Sequence, residues 1–488
     1  VPRYHFYILR NCGEVVKRVF ELAMRNDPEI RYCLALMLAN LAGNIDNHEF
    51  IATHVEMGRL SILVGCDDEE TQGHAIATVS GLAITERNAK RIVESGLLIP
   101  QMSRECSSPH ASVQRSVAAA FLNLSQHGSI LETLIEQDLI SGLLSLLNSS
   151  QEITQLPAAR TMNVAISSQI GVNSLLGQDL TKISKTLWSA VANGSAKVSA
   201  QIIRVLALLS TMEGAESILI NEQGINGLLS CAKLRAEGAS DESNCEFHSA
   251  IMIRKLCSMK EVIPMMVRLG VVSALLALGE SKTGSVGVHE LAMTSLEDVL
   301  DHRDGRSAAL ANSQLIDTLM KLLVSDKAAV QRHALGCVVR LSFDEDWSKR
   351  FRFRGGLKLV YKSARHKAYP IRAFSAWIIS ILSTYKEFFE ELIAERSLKT
   401  LLYLADHDPD DARIALHVAV VLGNLSQYSA IIGSFGEAQG FVDPQALQPF
   451  NPETSGTIPL FVRFLSSSNP LIASLAFMGM SAKSKSGP

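Results

Sequence analysis

The chain has 488 residues, 47% of them apolar, 19% charged and only 6% aromatic, with a net charge of −3. Small aliphatic residues in that proportion can bury a large core, and the near-neutral balance gives no global field toward nucleic acid. No apolar run approaches the roughly 18 residues of a membrane-spanning helix.

One pattern recurs along the chain: a helical apolar run that ends in x-Leu-Ser or a close variant. It reads LANLA (38–42), SGLA (80–83), FLNLS (121–125), TMNVA (161–165), LALLS (206–210), RKLCS (254–258), SLEDVL (295–300), VVRLS (338–342), ISILS (379–383) and LGNLS (422–426). The variable residue falls at 40, 81, 123, 163, 208, 255, 298, 340, 381 and 424, in steps of 40 to 47. Ten matches in step identify an internal repeat. A Gly or Asp before an apolar segment keeps the same phase: Gly96, Asp138, Asp179, Gly224, Gly270 and Gly356. A turn between helices is expected at each. Prolines after a capping residue (Asp27-Pro28, Ser108-Pro109, Asp408-Pro409, Asn469-Pro470) predict the starts of the long helices.

Each unit therefore reads as a short helix, a middle helix and a longer third helix. In the third helix of PHASVQRSVAAAFLNLS, Val113, Val117, Ala120, Phe121 and Leu124 make one apolar stripe. A single unit cannot cover such a stripe, whereas stacked units cover one another. The solenoid is expected over 1–427, followed by a Gly/Pro-rich loop (428–458), a partial terminal repeat (459–480) and a disordered tail (481–488). LRAEGASDESNCEF (234–247) lengthens one linker. The chain opens VPRYHF without an initiator Met, which reads as a fragment or a processed form.

The step of about 42, the Gly-apolar openings, the s-x-P starts and the N-L-S/A endings resemble the armadillo repeat family over about residues 10–480. HEAT repeats, with two helices each, are the nearest rival. The resemblance implies an all-α fold: a right-handed armadillo-type superhelix of about ten to eleven three-helix repeats, with the third helices lining a concave groove. Vacuolar armadillo proteins that tether membranes, and the armadillo region of plant-type ubiquitin ligases, look similar.

Motifs for chemistry are weak. Eight scattered cysteines form no CxxC pair and read as buried thiols in a reducing compartment. His289-Glu290 lacks the second His of a zincin, and His54-Val55-Glu56 lacks a PCxxC partner. Asp406, Asp408 and Asp410 have calcium-loop spacing, but Asp411 and His417 occupy the diagnostic Gly and Glu places. Lys282-Thr283-Gly284 reads as a polar loop. No metal, cofactor or enzymatic activity is expected.

Binding residues stand out instead. Asn40, Asn123, Asn163 and Asn424 occupy one equivalent ladder position, where an amide can both donate to and accept from an extended peptide backbone. Lys255 and Arg340 share that position and suit acidic side chains. Trp377 lies four residues before Ile381. Importin-α-like receptors pair a Trp with an Asn four residues later. That combination never occurs here, which disfavours import-signal recognition. Residues 347–372 hold Lys349, Arg350, Arg352, Arg354, Lys358, Lys362, Arg365, Lys367 and Arg372 without one Asp or Glu. Such a patch suits an acidic peptide or an anionic membrane surface, with nucleic acid the weakest candidate.

The sequence thus points to a non-enzymatic intracellular scaffold that holds extended partner segments along the groove. Alternatives are the substrate-recognition region of a ubiquitin ligase or part of a membrane-tethering complex, and, ranked lower, a nuclear import receptor. The expected location is the cytoplasm, with the periphery of an internal membrane or the nucleus as alternatives.

Overall fold

A computed structural model describes residues 27–236, 245–281, 285–393, 395–407, 411 and 413–425, with Arg18 and Glu21. The segments 428–458, 459–480 and 481–488, Asp408, Asp410, Pro409, Pro470 and the triplet 282–284 lie outside the described residues. Every regular element among the described residues is a helix. The chain divides into two compact units, Val1–Leu256 and Cys257–Pro488.

In the first unit the long helices are α1 (Pro28–Ala42), α2 (Glu69–Leu82), α3 (Ala111–Ser125), α4 (Glu152–Ala165) and α5 (Ala196–Leu209), with α6 (Cys245–Ser258) beginning there. Each of α1 to α4 packs beside the next. Two helices precede each of α2 to α6; they are shorter before α2 to α4, as Glu86–Glu94 and Leu98–Glu105 are before α3, whereas Leu180–Asn193 equals α5 in length and Glu222–Ala236 exceeds α6. The second helices of these pairs form a layer of their own, in which Met57–Val64, Leu98–Glu105, Leu139–Leu147 and Leu180–Asn193 pack in sequence. The core fills the space between the layers: Val113, Val117, Phe121 and Leu124 of α3 are fully buried, with Leu98, Ile99, Leu139 and Leu143 of the neighbouring short helices. Each such side chain contributes roughly 1.5–3 kcal/mol. The stripe expected from the sequence is therefore the core face of α3.

The second unit repeats the plan. α7 (Val286–Asp301), α8 (Ala328–Leu341) and α9 (Tyr369–Leu382) pack side by side. Val271–Gly279, Leu315–Leu323 and Gly356–Ser363 form the adjoining layer, and residues 413–425 are helical again.

Local chemistry sets the helix ends. The Asp27 carboxylate accepts from the amides of Glu29 and Ile30, with Pro28 at the first helical position. Asp68, Asp179 and Asp344 cap their helices in the same way. The Ser108-Pro109 start is displaced: α3 begins at Ala111 after His110, and Ser108 Oγ instead accepts from the His110 amide at 3.3 Å. The turn positions also split by mechanism. Gly96, Gly270 and Asp138 adopt positive φ, and in the motif read at Gly356 it is Gly355 that turns, at φ +85°. Asp179 is an extended cap, and Gly224 lies inside the helix Glu222–Ala236 against the buried ring of Trp188.

Candidate functional site

On each third helix the ladder residue and the residue four earlier share one face. In α3 these are Asn123 and Ala119, both partly exposed beside a buried flank. This face is where the sequence places its binding residues.

The ladder amides are engaged within the chain. Asn123 Nδ2 donates to the Ser80 carbonyl at 2.9 Å, on α2. Asn163 is buried, and its Nδ2 donates to the Gln201 carbonyl at 2.9 Å, on α5. Asn424 Nδ2 donates to Ser383 Oγ at 2.9 Å, just past α9. These donors tie adjacent third helices together, and Asn163 Oδ1 is itself buried, so that amide presents neither its donor nor its acceptor to a ligand. Asn40 is exposed on α1, and Lys255 is half-buried on α6.

Arg340 sits in an ion network. Its Nε and Nη2 reach the two carboxylate oxygens of Asp301 at 2.7 and 3.2 Å, and its Nη1 reaches Glu297 Oε2 at 3.1 Å. Glu297 Oε1 lies 2.9 Å from His333 Nδ1. Arg332 contacts His333 Nε2. A guanidinium can only donate, so Nε2 accepts and Nδ1 carries the proton given to Glu297. Two carboxylates thus face two guanidiniums around the His333 imidazole. The Glu297 carboxylate crosses α8 at Gly336, where a Cβ would fall 2.4 Å from Oε1. A missing side chain makes room for the network.

Beside it opens a cleft of about 340 Å³ between the C-terminal ends of α7 and α8 and the middle of α9. Leu300, Val339, Phe343, Phe374 and Trp377 form its apolar wall, with Glu297, Asp301, Arg306 and Arg340 at its polar edge. Phe343 is 58% exposed and Trp377 39% exposed, whereas Trp188 and Trp347 are each 1% exposed. Trp377 stacks between two rings: Phe374 at 6.4 Å and 8°, and His417 at 5.8 Å and 14°. Ser380 Oγ donates its single proton to the Trp377 carbonyl at 2.7 Å, so His417 Nδ1, 3.0 Å away, is the donor to Ser380.

Burial holds the His417 imidazole below its ordinary pKa, opposed by the charge of Asp411. The neutral ring is therefore favoured in the folded chain. As pH falls through about 6.5, the unfolded chain takes up a proton that the folded chain resists, and stability is lost on the acid side. Acidification from about pH 7.5 to about pH 5 should therefore loosen the stack and raise acrylamide quenching of Trp377 emission. The same titration of His417→Gln should be flat; an unchanged slope would remove His417 as the cause.

The basic stretch is dispersed by the fold. Lys349 pairs with Glu345 at 2.8 Å and Glu387 at 3.0 Å, Arg352 with Glu391 at 3.0 Å, and Arg354 with Asp317 at 2.6 Å. Arg352 also lies over the Phe388 ring, and the Arg350 side chain bonds the Asp346 carbonyl at 3.4 Å. Arg365 leans on the Tyr403 ring. Arg372 is buried and donates to the carbonyls of His366 and Lys367 at 2.9 and 2.7 Å. Lys358, Lys362 and Lys367 are exposed and have no ion-pair partner among the described residues. Phe351 stacks on Trp347 in the core, while Phe353 is 92% exposed.

Of the sequence-derived residues, the structure brings Arg340 and Trp377 to one cleft. Sequence reasoning missed Glu297, Asp301, His333, Phe343, Phe374 and His417. The available signals were the Glu297/Asp301 pair four residues apart, and His333, Gly336 and Arg340 along one face of α8.

No family model and no curated protein matches this chain. Among solved structures, an engineered protein aligns at 19% identity and a TM-score of 0.50, covering 84% of this chain and 98% of that one. A structure from work on a phosphorylation switch in the interaction between cadherin and β-catenin aligns at 13% identity and a TM-score of 0.52, covering 96% and 99%. The likeness is one of fold: an all-helical, solenoid-like chain. No described helix is long and apolar enough to cross a membrane.

Proposed function

We propose that this chain is a non-enzymatic scaffold of the armadillo type that holds an extended partner segment along its third-helix face inside the cell. The observation that carries the reading is the cleft, where Trp377 and Phe343 stand exposed while the other two tryptophans are in the core. Exposed, rigid aromatics at the wall of a cleft are the usual anchors of protein interfaces. The charges at the cleft edge already neutralise one another, so the segment is anchored by an apolar or aromatic side chain rather than by a charged one. The structural neighbour connected with cadherin and β-catenin supports the reading, since a chain of similar fold figures there in a protein–protein interaction.

The test is a phage-displayed library tiling the disordered segments of the organism's proteome, selected on the full chain. Selected peptides should carry an apolar anchor and perturb Trp377 fluorescence. Trp377→Ala and Phe343→Ser should each weaken them about 30-fold, as the loss of a ~2 kcal/mol anchor implies. Peptides that bind the variants as tightly as the parent would move the site elsewhere. A library without any specific binder would sink the scaffold reading itself.

A further inference from the structure

Two thiols that the sequence scatters come together in the first unit. Cys231, on the helix Glu222–Ala236, and Cys245, the first residue of α6, hold their sulfurs 3.8 Å apart. Cys231 is half-buried and Cys245 is buried. Cys245 Sγ also lies 4.0 Å from Ser249 Oγ. A disulfide has its sulfurs about 2.05 Å apart, so the two sulfurs must come less than about 2 Å closer to bond. Three other thiols are chemically quieter. Burial pushes the Cys106 and Cys337 thiols far above the ordinary range, and burial raises Cys66 as well.

We infer that Cys231 and Cys245 form a redox-modification site, a dithiol that a small-molecule disulfide converts reversibly to a cross-link between the helix Glu222–Ala236 and α6. The more accessible Cys231 thiolate attacks one sulfur of the small disulfide, forming a mixed disulfide and expelling one thiolate. The Cys245 thiolate then attacks the Cys231 sulfur and expels the second. Two protein thiols lose two electrons, one small disulfide gains them, and the two protons pass to the two released thiols. Because α6 carries Lys255 on its ladder face, the cross-link ties the start of one third helix to the helix before it. A vicinal dithiol of this kind suits a reducing compartment, where protein disulfides are transient and responsive. The inference stands independently of the partner-binding reading.

The chain is equilibrated, folded, in a series of reduced and oxidised glutathione mixtures, quenched by alkylation and digested with trypsin. Lys233 and Arg235 lie between the two cysteines, so the cross-link appears as two joined peptides lighter by two hydrogens. The 231–245 pair should appear before any other pair, disappear with excess dithiothreitol and be absent from Cys231→Ser. Amide exchange at the start of α6 should slow several-fold in the oxidised chain and not in that variant. Full alkylation of both thiols in the most oxidising mixture would overturn the inference. So would cross-links distributed over the other cysteines, or forming only after denaturation.

Discussion

Gly336→Ala should destabilise the parent chain by about 2 kcal/mol, yet stabilise the Glu297→Ala chain by about 0.5–1 kcal/mol. In the parent, the new methyl falls 2.4 Å from Glu297 Oε1 and 2.6 Å from its Cδ. That carboxylate is held by His333 and Arg340, so it cannot swing aside without leaving both. With Glu297 gone, the three atoms nearest the new methyl are gone too, and the helical preference for Ala over Gly decides the sign. Glu297→Ala alone should cost about 3 kcal/mol, because it strands a buried His333 donor and removes one of the two carboxylates on Arg340. The Glu297 side chain is only 13% exposed and that of Arg340 25%, so solvent offers little replacement. Repeat proteins can unfold in segments, so amide exchange in α7 and α8 is the measurement that resolves the cycle. The same sign of effect in both backgrounds would show that the carboxylate does not occupy the space above Gly336.

Gly305→Ala is the second large effect, at about 3 kcal/mol. Gly305 is the third residue of the helix Arg303–Leu310, and a Cβ there would lie 2.0 Å from the Val299 carbonyl oxygen. The opposing atom is backbone, so relief requires the helix to move away from the end of α7. Arg306, next in sequence, donates to the Leu300 carbonyl at 3.1 Å and lines the cleft, so the displacement should also weaken peptide binding. Gly171 has the same relation to the Ala165 carbonyl in the first unit. Gly73→Ala is the control. No atom lies within 4 Å of its Cβ position, so it should gain up to about 1 kcal/mol from helix propensity alone. A Gly305→Ala chain as stable as the Gly73→Ala chain would refute the backbone conflict.

The third helices were legible because their chemistry is local. A stripe and an N-L-S ending fall within one helix, as α3 shows, and a cap sits at the helix start, as Asp27 does on α1. The ladder phase even placed Arg340 and Trp377 on the face that opens into the cleft. What escaped was the partner of each side chain. Arg352 and Arg354 look like unopposed charge in their own stretch, yet Glu391 lies 39 residues later and Asp317 37 residues earlier. Helical rotation adds a second ambiguity. The ladder count selects Asp298 in α7, whereas Glu297 and Asp301, one turn apart on an adjacent line of that helix, hold Arg340. The sequence also carries no sign that the donors of Asn123, Asn163 and Asn424 are committed to neighbouring helices.

Those polar bonds share a span. Asn123 reaches back 43 residues to Ser80, Arg87 reaches back 38 to Glu49, Ser129 reaches back 43 to Glu86, and Arg340 reaches back 39 to Asp301. Each joins a side chain to a group made a single period earlier. During synthesis, a newly emerged period finds its partner groups already assembled and need not wait for the distant C-terminal end. Little loop entropy is lost per closure, and folding can follow the ribosome one period at a time.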